Sequence, residues 1–212
     1  MKRIVIFDMD GTLINSALDI TISINYVRAQ GYALSALSEQ FVIDAINAHE
    51  RNLAHLFYET ETYEERAKIL FEEHYKNQCI QNVYSYNEIV ETLSHLSSRG
   101  CIMSVATNAP SAFAILMLTH LGIAEYFNCI LGADNVDHPK PHPQMIERIL
   151  MHHSYNEEND RAWMIGDNSK DMQAAKSAKI NTIFAAWGFS DKGEGDFIAY
   201  HPRDVKSIIL EE

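Results

Sequence analysis

The apolar positions of this chain follow two different patterns in two blocks. The chain opens on Ile4, Val5, Ile6 and Phe7, a short apolar run that predicts a strand buried on both faces. A helical pattern then takes over. Residues 15–30 predict a helix with Ser16 as N-cap, Ile20, Ile24 and Val27 on one face, and Gly31 just past its end. From 34 to 81 the helical spacing continues through Phe41, Ile43, Ile46, Leu53, Leu56 and Phe57, then through the charged stretch 63–79. No proline and no strand-like run falls between Ile14 and Gln81. After Tyr86 the pattern alternates. Helices are expected at 88–98, 111–121, 143–153, 170–178 and 202–210, with strands at 101–106, 129–131, 162–165 and 182–186. Strands alternating with helices imply right-handed crossovers and a parallel sheet covered on both faces. The chain therefore predicts an α/β core, residues 1–14 and 82–212, with an all-α insertion at 15–81 after the first strand.

Composition narrows the function. Hydrophobic residues make up 47% and charged residues 22%, the balance of a globular protein. No apolar run approaches the roughly 20 residues that span a bilayer, so no membrane partner is expected. Met1-Lys2-Arg3 and the apolar run after it end at Asp8, too soon for a signal-peptide core. Cys79, Cys101 and Cys129 are odd in number and scattered, which suggests free thiols and a cytoplasmic location. A net charge of -12 repels a nucleic-acid backbone, so none is expected as partner. It repels a small anion too, so a site for one needs local positive charge from a metal, a lysine or backbone N–H groups.

Four polar pieces stand at or just after predicted strand ends. The first is Asp8-Met9-Asp10-Gly11-Thr12-Leu13. Residues i and i+2 of extended backbone share a side, so Asp8 and Asp10 emerge together where ligands of open α/β sheets bind. Two such carboxylates repel unless a cation or a shared proton intervenes, which points to a hard ion such as Mg2+. The second is Thr107-Asn108, a hydroxyl and an amide suited to phosphoryl oxygens. The third is Lys140, between Pro139, Pro141 and Pro143 on a stiff loop, flanked by His138 and His142, which are expected to be exposed loop histidines. The fourth is Gly166-Asp167, with Asp171 four residues later at a helix start. Asp167 would add a carboxylate to Asp8 if their strands are neighbours.

In this order, and over essentially the whole chain, these pieces resemble the haloacid-dehalogenase-like hydrolase superfamily. The stretch from Asp8 to Ile20, and the Trp187-Gly188 pair, are most similar to its phosphoglycolate-phosphatase-like members. The resemblance implies a Rossmann-like doubly wound parallel sheet with a small helical cap that closes over the site and excludes water. It also implies a Mg2+-dependent phosphatase acting on a small phosphorylated metabolite, with the protein a monomer or homodimer. Asp8 would attack phosphorus and Asp10 would act as acid and base. Thr107, Asn108, Thr12 and backbone N–H groups near Met9 would hold the substrate, and Lys140 would offset charge. Asp8, the Asp10 carbonyl, Asp167 and Asp171 would hold or support the metal. Dehalogenases of the superfamily lack a carboxylate at the Asp10 position, because a halide leaves without a proton. The chain departs from its relatives at His49-Glu50, where glycine is usual. His49, Glu50 and Arg51 are therefore candidate substrate contacts. A phosphomutase, or a non-catalytic binding or regulatory protein of the same fold, is the alternative.

Overall fold

The structure is a computed structural model, described here for residues 1–48 and 52–211. It divides into two compact units, Met1–Asn15 with Ser85–Glu212, and Ser16–Tyr84.

The first unit is built on a six-stranded parallel sheet. Its strands are β1 (Arg3–Phe7), β4 (Ile102–Ala106), β5 (Cys129–Leu131), β6 (Arg161–Gly166), β7 (Asn181–Ala185) and β8 (Phe197–Ala199), in the spatial order β5-β4-β1-β6-β7-β8. Two further two-residue strands, β2 (Ile14–Asn15) and β3 (Tyr84–Ser85), mark where the chain leaves and re-enters this unit. In β1, Ile4, Val5, Ile6 and Phe7 are all buried, as a central strand of a doubly covered sheet requires. Ile4 and Ile6 join one core cluster with Met145, Ile146 and Ile149 of α7 (Gln144–His152) and Ala174 and Ala175 of α8 (Ser169–Ser177). Val5 and Phe7 point to the opposite face. There Phe7 meets Phe127 edge-to-face, ring centroids 6.1 Å apart. The remaining helices of this unit are α5 (Ile89–Ser98), α6 (Ser111–His120) and α9 (Asp204–Glu211).

The second unit holds α1 (Ala17–Tyr32), α2 (Glu39–Asn47), α3 (Leu53–Tyr58) and α4 (Glu65–Gln78). Ile24, Val27, Val42, Ala45, Phe57, Tyr58 and Ala67 form its own core. Ser38 and Asn52 cap α2 and α3, accepting from the Phe41 and His55 N–H groups.

Three local expectations are corrected. Gly31 is inside α1 and not beyond its end, and Ala33 takes the left-handed cap at φ 52°. The helix runs two residues further than expected, to Tyr32, whose ring stacks on Tyr58 at 5.4 Å. Ser16 stands at the N-cap position but its side chain caps nothing; Asp19 supplies negative charge in the first turn. Pro143 precedes α7 as its N-cap residue, so the first helical residue is Gln144. Strand β8 is not among the expected strands: its three residues, with Ile198 exposed, carry too short an apolar pattern.

Candidate active site

The three central strands β4, β1 and β6 run parallel, with Phe7 level with Val105 on one side and Ile165 on the other. Their C-terminal ends therefore present Thr107, Asp8 and Asp167 side by side. The chain order reverses about β1, and such a switch point opens the crevice where ligands of these sheets sit. The Asp8 N–H donates to the Ile165 carbonyl (2.8 Å), which extends the β1–β6 ladder to the residue that carries the carboxylate.

Beyond Asp8 the backbone closes a tight loop. The N–H groups of Thr12, Leu13 and Ile14 all donate to the Met9 carbonyl, at 3.2, 2.9 and 3.1 Å. Gly11 sits in it at φ +82°. A Cβ there would overlap the Asp167 carboxylate, so this position needs glycine for both its conformation and its clearance.

Lys140 is buried, and its Nζ donates to Asp8 Oδ1 (2.7 Å) and Asp171 Oδ1 (2.6 Å). The lysine loop is held from β4. Asn108 Nδ2 donates to the Lys140 carbonyl (2.8 Å), and the Lys140 N–H donates to Asn108 Oδ1 (3.1 Å). The Lys140–Pro141 peptide bond is cis. Asp171 lies in the first turn of α8, where Asn168 Oδ1 accepts from the Lys170 N–H and Asp171 Oδ2 accepts from the Asn168 N–H. Gly166 makes room for it, since a Cβ there would overlap the Asp171 carboxyl.

Electrostatically the site is short of positive charge. Asp8, Asp167 and Asp171 are buried with carboxylate oxygens within 4.8 Å of one another. Among the described residues the ion pairs of this cluster are those of Lys140, to Asp8 and to Asp171. Burial pulls the Lys140 ammonium down, but the carboxylates of Asp171 and Asp8 outweigh that and hold its pKa above the ordinary lysine value. Burial raises the Asp167 carboxyl well above the usual range, and Asp8 and Asp171 push it further. Burial and Asp8 raise Asp171 to about 6, against the opposing pull of Lys140. A divalent cation would relieve this excess, and an all-oxygen donor set suits a hard ion such as Mg2+. The residues present thus fit the metal.

The predicted residues divide. Asp8, Lys140, Asp167 and Asp171 come together, with Thr107 at the neighbouring strand end. Asp10 lies one residue before Gly11 and forms an isolated bridge with Ile14; its carboxylate is not one of the three in the cluster. Two expected substrate contacts have other employment. Thr12 is fully buried; its Oγ1 donates to Asp167 Oδ1 (3.4 Å) and its carbonyl accepts from the Trp187 indole (2.9 Å). Both functional atoms of the Asn108 side chain serve the Lys140 backbone. Asp171 spends one oxygen on Lys140 and the other on the Asn168 N–H, so it supports the lysine before it can serve an ion. His49, Glu50 and Arg51 lie outside the described residues. His138 and His142 are exposed, as expected, with rings 4.9 Å apart. Sequence reasoning gave no role to Trp187, Gly188 or Phe189, yet the Phe189 N–H donates to Asp167 Oδ2 (2.8 Å). No local signal could have found this bond, which joins residues 22 positions apart, or the Trp187–Thr12 bond beside it, which joins residues 175 apart.

Comparison with known proteins agrees with this architecture. The family model for haloacid dehalogenase-like hydrolases matches residues 5–185. A phosphoglycolate phosphatase of Colwellia psychrerythraea is 30% identical over 217 residues, covering 95% of this chain and 91% of its own. One of Aquifex aeolicus is 29% identical over 209 residues, covering 98% and 96%. The solved structure of a haloacid dehalogenase-like family hydrolase from Streptococcus pneumoniae superposes with a TM-score of 0.81 at 24% identity, covering 98% of both chains, which is a likeness of fold.

Proposed function

The chain belongs to the haloacid dehalogenase-like hydrolase family, and on that premise we propose that it is a Mg2+-dependent phosphatase that hydrolyses a small phosphomonoester through an aspartyl-phosphate on Asp8. The observation that carries this is the Lys140 ammonium between Asp8 and Asp171, beside an Asp167 that no ion pair of the described residues reaches. Such a cluster is built to receive further positive charge and, with it, a phosphoryl group.

An Asp8 oxygen attacks phosphorus, the ester P–O bond breaks, and the leaving alkoxide takes a proton from Asp10. Asp10 then removes a proton from the water that attacks the same phosphorus, which releases phosphate and restores Asp8. Lys140 offsets charge on the nucleophile and on the transferring group. Thr107 Oγ1 accepts from the Ala109 N–H (3.0 Å), so its own proton is available to a phosphoryl oxygen. Asn108 sets the backbone of Lys140. Asp8, Asp167 and the Asp10 carbonyl would hold Mg2+, with Asp171 in support; when bound, the ion supplies the positive charge that draws the phosphoryl group in and offsets its negative charge. The four-helix unit is read as the family's cap, and His49, Glu50 and Arg51 stand as its candidate substrate contacts.

The carboxylate at Asp10 favours an alkoxide leaving group over a halide, hence a phosphate ester. The names of the relatives that match along nearly the whole chain favour phosphoglycolate, with sugar and nucleoside monophosphates as the other members of the class. The test is phosphate release from a panel of such esters with Mg2+, repeated with EDTA and with Asp8→Asn. Release that needs both the metal and Asp8 is expected, with phosphoglycolate fastest. Release that survives either removal contradicts the mechanism.

A further inference from the structure

Asp167 is gripped by two loops that are distant in sequence. From the β1 side, Gly11 lies where a Cβ would overlap the carboxylate, and Thr12 Oγ1 donates to Oδ1 (3.4 Å). From the β7 side, Gly188 lies where a Cβ would overlap both the Gly11 carbonyl and the Asp167 side chain. The next residue, Phe189, donates its N–H to Oδ2 (2.8 Å). A side-chain hydrogen bond joins the two loops, from the Trp187 indole Nε1 to the Thr12 carbonyl (2.9 Å). The carboxylate thus has a donor at each oxygen, the one at Oδ1 long, and the indole bond links the loop that carries Phe189 to the loop that carries Thr12.

We propose that Trp187 is a positioning residue for the metal site: by tying the β7 loop to the Thr12 carbonyl it fixes the rotamer of Asp167 and so sets the affinity for Mg2+. This rests on the Mg2+ reading above. The physical reason is preorganisation. A small ion demands near-ideal ligand directions, and a ligand carboxylate already hydrogen-bonded in its bound orientation gives up little freedom on binding. Without the indole N–H the loop can drift, the Phe189 bond lengthens, and each binding event must first reorder Asp167.

The test is calorimetric titration of Mg2+ into the metal-free, substrate-free protein, a readout independent of turnover. Four proteins are compared: wild type, Asp167→Asn, Trp187→Phe and Gly188→Ala. Trp187→Phe keeps an aromatic ring but removes the N–H donor together with part of the ring volume; Gly188→Ala keeps the donor and pushes the loop off Asp167. Each variant is first checked by circular dichroism. The expected result is a Mg2+ dissociation constant raised about tenfold in both loop variants, within the 10- to 100-fold range typical of groups that orient metal ligands. Phosphate release by Trp187→Phe should recover when Mg2+ is raised by the same factor. Wild-type affinity in Trp187→Phe, with binding lost in Asp167→Asn, overturns the proposal and leaves the metal reading intact. No Mg2+ binding by the wild type overturns both. If Trp187→Phe does not fold, Gly188→Ala decides on the same readout, and wild-type affinity there counts against the proposal.

Discussion

In the four-helix unit Asp19 is fully buried and accepts three hydrogen bonds: from Gln78 Nε2 (2.8 Å), Asn82 Nδ2 (2.7 Å) and the Asn82 N–H (2.9 Å). In the sheet unit Asp8, Asp167 and Asp171 are also buried, but they crowd one another around a single ammonium. The first carboxylate is surrounded by neutral donors and sits in the first turn of α1, where the helix dipole favours it. It joins α1 to the end of α4 and the residues beyond, and it has nothing left to do. The second group keeps an excess of negative charge in a place that water reaches poorly. The difference separates architecture from chemistry: a buried charge with its partners complete holds a fold, and, on the function proposed above, a buried cluster with too little countercharge is the place for an ion and a substrate.

That contrast can be broken most severely at Lys140. Lys140→Met removes the ammonium that Asp8 and Asp171 share, and kcat should fall by on the order of 10^2- to 10^3-fold. The metal-free protein should also lose roughly 3–5 kcal/mol of stability, the usual result of stripping one partner from a buried pair. Steady-state kinetics and denaturant unfolding with EDTA check the two parts, and an unchanged kcat would remove Lys140 from the mechanism.

Next in size is the coupling of metal to protons. Burial and neighbouring carboxylates raise Asp171 to about 6 and raise Asp167 as well. An acid whose folded pKa lies above its unfolded value contributes stability fully present below the unfolded pKa of about 4, and lost as pH climbs through the folded one. Metal competes with those protons. The rise in Tm given by Mg2+ should therefore be small near pH 5 and grow by about pH 7.5, reaching the equivalent of about 2.7 kcal/mol when Mg2+ is a hundredfold above its Kd. Thermal melts with and without Mg2+ at the two pH values check this, and an equal gain at both would contradict the excess-charge account.

A smaller effect is expected at Asn108. Asn108→Ala frees the backbone of Lys140 without removing its charge, so kcat should fall about tenfold with KM nearly constant. A rise confined to KM would make Asn108 a substrate contact after all. The smallest effect on chemistry is expected at Asp19. Asp19→Ala leaves three N–H groups without their acceptor and should cost about 1–3 kcal/mol in unfolding experiments, with kcat within about twofold of wild type. A large loss of kcat there, with the fold intact, would erase the distinction between the two carboxylate sites.

Much of the sheet was legible because apolar runs stop abruptly at polar residues. Ile4 to Phe7 ends in Asp8, the run before Thr107 ends β4, and the run to Gly166 ends in Asp167. Strand order was legible only in class: a parallel sheet follows from alternation, but the neighbours of β1 are set by crossovers that leave no local mark. Within the helical block, spacing alone did not show where one helix ends; α2 and α3 begin at caps, Ser38 and Asn52, whose donors lie three residues on, and α4 begins after Glu64 with no side-chain cap. The site's carboxylates and lysine were visible as residue types at strand ends. What each side chain does was less visible. Thr12 and Asn108 carry groups that could hold a phosphate, and only the fold reveals that Asp167 and Lys140 already engage them. The Trp187 contact was hidden for the same reason, since it joins two loops whose proximity depends on the whole sheet.

In the proposed mechanism Asp8 carries the phosphoryl group in mid-reaction. The direct measurement is rapid acid quenching of the enzyme during turnover of phosphoglycolate with Mg2+, followed by peptide mapping by mass spectrometry. A phosphoryl adduct is expected on the peptide that contains Asp8, absent with EDTA and absent in Asp8→Asn. Steady phosphate release with no adduct on that peptide at any quench time, and undiminished in Asp8→Asn, would contradict it.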